Sequence, residues 1–144
     1  SNVDKRKFDM FPTKTLAGAF VIPIEVNRVI LQIVIDTGAA AALSISKSSA
    51  AQIRTTPSNK KIFQTGVNGE KICSDVTSAT IHIGSVKLED GVVLINSSDV
   101  QGADGYIGLA LLRQFNIYIS NSGIGLQKNH LSSRSMSVMT GRCQ

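Results

Sequence analysis

The sequence predicts one domain of the all-β class. Its 144 residues are 42% hydrophobic, which is enough apolar material for a single core. Only 5% are aromatic and none is Trp, so Ile, Val, Leu and Ala must supply that core. Short β-branched runs are separated by glycines and other turn residues, a pattern that is typical of many short strands.

The first predicted hairpin ends at a carboxylate. Residues 21–26 alternate between apolar and other side chains, and Pro23 within them favours an edge strand. Asn27-Arg28 is the candidate turn. The returning strand, 29–35, is apolar apart from Gln32, which predicts burial on both faces except at Gln32, and it runs directly into Asp36.

A second, longer hairpin is predicted in the middle of the chain. A short strand at 43–45 precedes it, and Ser46 is placed to cap a helix that runs to about residue 53. The hairpin arms are 60–65 and 70–83. The predicted tip consists of Gly66, Val67, Asn68 and Gly69. Asn-Gly favours a tight hairpin turn because both residues tolerate positive φ.

The last third of the chain is predicted to contain short strands and one clear helix. Apolar runs at 86–88 and 92–95 predict two strands, and 106–108 predicts a third that ends in glycine. Apolar side chains recur with helical spacing over 109–115. A turn within 116–127 predicts a closing hairpin.

The net charge of +5 is carried by the two ends of the chain. Residues 1–14 have a net charge of +2 and residues 127–144 one of +3, which leaves 15–126 neutral. We therefore expect a flexible basic arm (1–14), a folded domain (15–127) and a flexible basic tail (128–144). The pI of 9.5 suggests nucleic acid as a partner. A neutral core with few aromatic residues offers no stacking platform, so no nucleic acid is expected.

Motifs for metals, redox chemistry and membranes are sparse. Cys73 and Cys143 form no Cys-x-x-Cys pair, and His82 and His130 add no metal-binding spacing. No metal or other cofactor is expected, and the redox state of the cysteines stays open. No apolar run reaches the length of a membrane span and no signal peptide is predicted, so the localisation is undetermined.

The candidate catalytic residue is Asp36. Asp36-Thr37-Gly38-Ala39 brings a carboxylate, a hydroxyl and a flexible glycine together where an apolar strand ends. Burying a carboxylate costs several kcal/mol unless it is hydrogen-bonded or shares a proton. The alternative is an ordinary turn aspartate that accepts hydrogen bonds from its own backbone. The tripeptide alone favours that alternative, whereas its position among the other elements favours a site.

These elements occur in the order of a known family. Over residues 16–127 the chain resembles the retropepsin-like, single-domain aspartic proteases. Asp36-Thr37-Gly38-Ala39 is similar to the catalytic Asp-Thr-Gly-Ala of that family, and 64–73 is similar to its flap. The second signature of the family, two apolar residues and a glycine before the C-terminal helix, is matched by Tyr106, Ile107 and Gly108. The resemblance implies a closed β-barrel with one short C-terminal helix.

The resemblance also implies an aspartic endopeptidase that cleaves protein or peptide substrates. Two carboxyls about 3 Å apart share one proton, so that one activates a water and the other donates to the scissile carbonyl. Asp90-Gly91 and Asp104-Gly105 lack the intervening hydroxyl residue and do not end an apolar strand, so neither copies Asp36. An active enzyme should therefore be a symmetric homodimer with one Asp36 from each subunit.

The same resemblance implies supporting roles for the neighbours of Asp36. Thr37 of each subunit would lock the two loops together across the axis, and Gly38 would offer backbone groups to the substrate. The flap over 66–69 would close on the substrate and exclude water. The alternative function is a catalytically silent dimerisation or peptide-binding module, which the retained Asp36 disfavours because such a module needs no charged pair at its axis.

The chain departs from the retroviral pattern beside both signatures. Many retroviral members have acidic residues after the Ala of the first motif and an Arg after the Gly of the second, which form an ion pair beneath the active site. Here Ala40 and Ala41 follow the first motif, and Leu109 and Ala110 follow Gly108 of the second. Since both partners are apolar, no buried charge is left unpaired. We expect Ala40 to pack near Leu109, and substrate contacts to be more apolar than in the retroviral enzymes.

Overall fold

A computed structural model describes residues 4–55, 58–65, 71–96 and 99–129. These residues are mostly strand, so the predicted all-β class is confirmed. The strands are β1 (Asp9–Pro12), β2 (Thr15–Leu16), β3 (Ala19–Val26), β4 (Val29–Ile35), β5 (Leu43–Ser46), β6 (Lys61–Thr65), β7 (Lys71–Ile83), β8 (Val86–Asn96), β9 (Gly105–Ile107), β10 (Phe115–Ser120) and β11 (Gly123–Lys128). The helical elements are a 3-10 turn (Lys5–Lys7), α1 (Lys47–Ala50) and α2 (Leu109–Leu112).

The strands form two sheets. The larger has the order β2-β3-β4-β9-β5-β8-β7-β6, and a further pairing of β3 with β7 joins part of it into a ring. The smaller sheet is three-stranded, with the order β1-β11-β10. Strand β9 is inserted between β4, to which it runs parallel, and β5, to which it runs antiparallel. This insertion places the end of β9 beside the end of β4, where Asp36 follows.

Aliphatic side chains from both sheets fill the core, as the composition predicts. Burying one such side chain contributes roughly 1.5–3 kcal/mol, which makes these residues the main source of stability. The largest fully buried side chains are Ile22, Ile24, Leu31, Ile33, Leu43, Ile45, Ile81, Ile83, Leu94, Ile107, Ile124 and Leu126.

Strands β3 and β4 form the predicted first hairpin. Its turn residues, Asn27 and Arg28, both have positive φ (46° and 71°), which suits the twist of a tight hairpin. Pro23 does not mark an edge strand, because β3 also pairs with β2 at residues 19–20 and with β7 at residues 25–26. Pro23 lies between these two pairings, where that side of the strand needs no backbone donor.

The prediction that β4 is buried on both faces is wrong. Its odd-numbered residues, Leu31, Ile33 and Ile35, face the core, whereas Ile30 is 64% exposed and Val34 is half-buried. Alternate residues of a strand share a face. Asp36 therefore continues the open face of β4 and stays out of the core.

The middle of the chain follows the prediction in outline. Ser46 caps α1, its Oγ accepting from the backbone N–H of Ser49 at 3.1 Å, but the helix ends at Ala50, before residue 53. Strands β6 and β7 form the arms of the long hairpin. The predicted tip, residues 66–69, lies outside the described residues.

Strand β8 corrects the prediction of separate strands at 86–88 and 92–95. The two segments form one continuous strand through Asp90, which has positive φ (52°). Its register with β7 shifts between Ala79 and Ile81. An irregularity of this kind accommodates an extra residue without ending the strand. Asp90-Gly91, which as a sequence suggests a turn, therefore lies within β8.

The N-terminal segment is more ordered than the expected arm. Residues 9–12 form β1, which pairs with β11, and Phe11 is buried in the core with 9% exposure. Asp9 accepts hydrogen bonds from the backbone N–H and the hydroxyl of Ser85, at 3.0 and 2.8 Å. One buried aromatic residue in a charged stretch makes no periodic pattern, which is why the sequence alone did not predict this strand.

Helix α2 is shorter than the predicted 109–115, since it ends at Leu112 and Phe115 already begins β10. Strands β10 and β11 form the predicted closing hairpin. Among the described residues, no helix has the length and apolar character that a membrane crossing requires. The tail from residue 130 onward lies outside the described residues.

Candidate active site

Asp36 lies just beyond the end of β4, in a turn fixed by backbone hydrogen bonds. Its backbone N–H donates to the carbonyl of Ile107 at 2.9 Å, and its own carbonyl accepts from Ala39 at 3.2 Å. Its Oδ1 accepts from the backbone N–H of Gly38 at 3.0 Å, and the residue is half-buried. The Gly38 bond is also found in ordinary aspartate turns. This bond therefore does not distinguish an ordinary turn aspartate from a catalytic one, and the residues around the loop are needed to do so.

The second signature lies directly beside this loop. Tyr106 and Ile107 are in β9, in parallel register with Val34 and Ile35 of β4. Ile107 is fully buried, and Tyr106 is half-buried on the face that Val34 shares with Asp36. The structure thus brings together two motifs that are about seventy residues apart in the sequence.

Gly108 packs tightly against the backbone of the segment that follows Asp36. Its backbone N–H donates to the carbonyl of Ala42 at 2.8 Å. A Cβ at this position would lie 2.3 Å from the carbonyl oxygen of Ala41 and 2.6 Å from that of Ala39. Both distances are far below van der Waals contact and involve backbone atoms. Only glycine fits here without moving the Asp36 loop.

Helix α2 starts from the same loop. The N–H of Leu109 donates to the carbonyl of Ala39 at 2.8 Å, and that of Ala110 donates to Ala40 at 3.2 Å. The backbones at the two departures from the retroviral pattern are therefore adjacent, whereas the packing of the Ala40 side chain near Leu109 stays a prediction. Ala40 is exposed and Leu109 is half-buried. The side chain of Leu109 is thus better shielded from solvent than that of Ala40.

Asp36 opens onto a cleft of about 630 Å³. The residues that line the cleft are Leu16, Ala17, Ala19, Val34, Asp36, Gln101 and Gly102. Among the described residues that line the cleft, Asp36 is the only charged one, so the walls that they form are apolar or neutral. Sequence reasoning missed the other six. Val34 could have been found, since it stands two residues before Asp36 on one strand, whereas the others come from distant segments.

Asp104 has a structural role in the fold. Its Oδ2 accepts from the backbone N–H of Gln32 and its Oδ1 from the hydroxyl of Ser49, both at 2.7 Å. Its backbone also bonds to Gln32 and to Ser46, both at 2.8 Å. Asp104 therefore ties β4 to the start of α1.

Asp90 lines a separate, smaller cleft with Leu88 and Gln114. Neither carboxylate lines the Asp36 cleft.

Comparison with known proteins agrees with this geometry. Residues 22–114 match the family described as "gag-polyprotein putative aspartyl protease", a span that includes both signatures. The chain belongs to this family of retropepsin-like aspartyl proteases. No curated protein sequence matches it.

Two solved structures share the fold of this retropepsin-like chain. A retropepsin-like aspartic protease from Rickettsia conorii has a TM-score of 0.59 and 20% identity, over 83% of this chain and 92% of that one. EIAV protease complexed with the inhibitor HBY-793 has a TM-score of 0.52 and 18% identity, over 70% of this chain and 91% of that one. At these identities the likeness establishes the fold alone.

The remaining predicted residues of this retropepsin-like chain fall in two groups. Thr37 and Gly38 are exposed and Ala39 is half-buried in the Asp36 loop, whereas the flap tip at 66–69 lies outside the described residues.

His82 is a partly exposed strand residue, with its Nδ1 2.9 Å from Glu25 Oε2. Within the described ranges, no group of three or more His, Cys, Asp or Glu side chains is arranged to hold a metal ion.

Proposed function

We propose that this chain is an aspartic endopeptidase that acts as a symmetric homodimer. The observation that carries the proposal is the contact of the Asp36 loop with Gly108, beside a cleft whose lining includes one carboxylate. Membership of an aspartyl protease family supports the same reaction. Among the described residues, Asp36 is the one carboxylate that lines the cleft, so in this proposal the second Asp36 comes from another copy of the chain.

In the proposed dimer the two Asp36 carboxyls face each other across the two-fold axis. Two carboxyls about 3 Å apart cannot both be ionised, so the pair holds one proton. The ionised carboxylate takes a proton from a water molecule, which attacks the scissile carbonyl carbon. The protonated carboxyl donates to the carbonyl oxygen, giving a tetrahedral gem-diol. The carboxyl that took the proton from water then passes it to the amide nitrogen as the C–N bond breaks, and the other carboxylate takes back a gem-diol proton as the new carboxyl group forms. The enzyme itself forms no covalent bond to the substrate in this scheme.

The surroundings of Asp36 suit this chemistry. The hydroxyl of Thr37 belongs to an exposed residue, which leaves it accessible to the loop of a second subunit. The neutral walls at Leu16, Ala19 and Val34 would accept apolar substrate side chains on either side of the scissile bond. The segment 66–69, between β6 and β7, is proposed to close over the substrate as a flap.

Digestion of a denatured protein mixture tests the proposal, with the wild type compared with Asp36→Asn between about pH 4 and pH 7. We expect fragments from the wild type alone, and we expect a statine-type inhibitor to suppress them. Asp104→Asn is the matched control, since it removes a carboxylate outside the cleft and should retain cleavage below its unfolding temperature. Equal cleavage by Asp36→Asn, or no cleavage by a dimeric wild type, would contradict the proposal.

A further inference from the structure

The smaller cleft, of about 180 Å³, lies between strand β8 and helix α2. Its walls are mainly apolar, with Ile81, Leu88 and Val92 from the sheet and Leu111 from the helix. Small-molecule sites usually have volumes of about 300–1,000 Å³, so this cleft is undersized for a ligand of that kind. A cleft of this size suits a single large apolar side chain.

This cleft also carries negative charge. Glu89 and Asp90 belong to its lining, and both are exposed. Glu89 is paired with Lys87, whose Nζ lies 3.1 Å from Oε1 of Glu89. Among the described residues, no side chain forms an ion pair with Asp90. An occupant that combines an apolar side chain with a cation would therefore match both the walls and the charge of the cleft.

The last described residue, Asn129, is held beside this cleft. Its backbone N–H donates to the carbonyl of Gln114 and its Nδ2 donates to the carbonyl of Arg113, both at 2.8 Å. Gln114 itself lines the cleft. The C-terminal segment, residues 130–144, therefore continues the chain from a point next to the cleft.

The composition of the C-terminal segment is complementary to the cleft. The segment contains two arginines, Arg134 and Arg142, and no acidic residue. Leu131 is its first large apolar residue. Two residues of extended chain span at most about 7 Å, so Leu131 is within reach of a cleft that begins beside Asn129. Arg134 follows three residues later, within reach of the acidic residues of the lining.

We infer that residues 130–134 dock on this cleft, with Leu131 between β8 and α2 and Arg134 against Asp90. Such docking would bury an apolar side chain and give Asp90 a partner of opposite charge. Because the first N–H groups of α2 donate to the Asp36 loop, docking would brace the helix that supports that loop. This inference is independent of the proposed peptidase activity.

Leu131→Ser in the full chain tests the inference, with Met139→Ser as its matched control. Hydrogen exchange of the amides over 109–114, followed by mass spectrometry, reports how well α2 is held. Loss of one docked leucine should raise this exchange about tenfold in Leu131→Ser and leave it unchanged in Met139→Ser. Arg134→Asp should also raise it, because a carboxylate would meet the acidic cleft, whereas Arg142→Asp should not.

Equal exchange in Leu131→Ser and Met139→Ser would overturn the inference, and so would equal exchange in the two arginine variants. Protein concentration separates docking within one chain from docking of a second copy. Docking within one chain gives the same protection at every dilution, and protection that is lost on dilution would overturn it. Should a variant fail to fold, methyl NOEs of the wild type decide: Leu131 must contact Leu111 or Ile81, and their absence overturns the inference.

Discussion

Gly108 and Asp104 fix the Asp36 loop from two directions. Gly108 lets the loop approach within a distance that excludes any side chain, and Asp104 bonds to the backbone of Gln32 on the strand that carries Asp36. Asp36 itself contributes one side-chain bond, to Gly38 within its own turn. In the proposed enzyme, stability and chemistry therefore depend on different residues, which substitutions can separate.

Gly108→Ala should destabilise the fold strongly. The new methyl group would meet the backbone carbonyls of Ala41 and Ala39, and such overpacking costs about 3 kcal/mol, or a fall in Tm on the order of 10 °C. Gly91→Ala is the control, because its methyl group would meet the flexible end of Ile81 and should cost less. Thermal unfolding by circular dichroism measures both. Equal Tm values for the two variants would disprove the contact described for Gly108.

Asp104→Asn should lower stability and retain cleavage, whereas Asp36→Asn should retain stability and abolish cleavage. The amide at 104 replaces an oxygen that accepts from Gln32 or from Ser49, which costs about 1–3 kcal/mol of unfolding free energy. The amide at 36 keeps an oxygen for Gly38, so stability should change by less than about 1 kcal/mol while cleavage is lost. Urea unfolding provides both values. Greater destabilisation by Asp36→Asn would make Asp36 a structural residue.

Elements formed by neighbouring residues were predictable from the sequence, and those formed by distant residues were not. The β3–β4 hairpin, the Ser46 cap and the closing hairpin each depend on local patterns that the sequence displays. Strand β1 depends on pairing with β11, more than a hundred residues away, and shows no alternation of its own. The same reasoning explains the site: Asp36 and Gly108 belong to recognisable motifs, whereas Leu16 and Gln101 reach the cleft only through the folded topology.

The junction of α2 with the Asp36 loop gives a prediction for an element boundary. Leu109→Arg should lower Tm by several degrees, because a charge would replace a half-buried apolar side chain. The retroviral pattern pairs an Arg at this position with an acidic residue, whereas this chain has Ala40 and Ala41 there. Leu109→Met preserves volume and apolar character and should change Tm little. Ala40→Glu should also be tolerated by the folded monomer, since Ala40 is exposed. No loss of Tm for Leu109→Arg would rule out an apolar role for this junction.

In the proposed enzyme, each chain supplies half of an active site. Its ring of strands delivers one Asp36 to the mouth of an apolar cleft. A second copy of the chain would supply the second carboxylate. Assembly and catalysis are therefore coupled in the proposed enzyme, and conditions that separate the subunits should abolish cleavage without unfolding them.

Mixing wild type with Asp36→Asn at constant total protein tests this coupling most directly. After subunit exchange, a homodimer that needs Asp36 from both chains is active only when both subunits are wild type. Activity should then follow the square of the wild-type fraction and fall to about one quarter in an equal mixture. A linear fall to about one half would show that each chain acts alone, and would contradict the shared carboxylate pair.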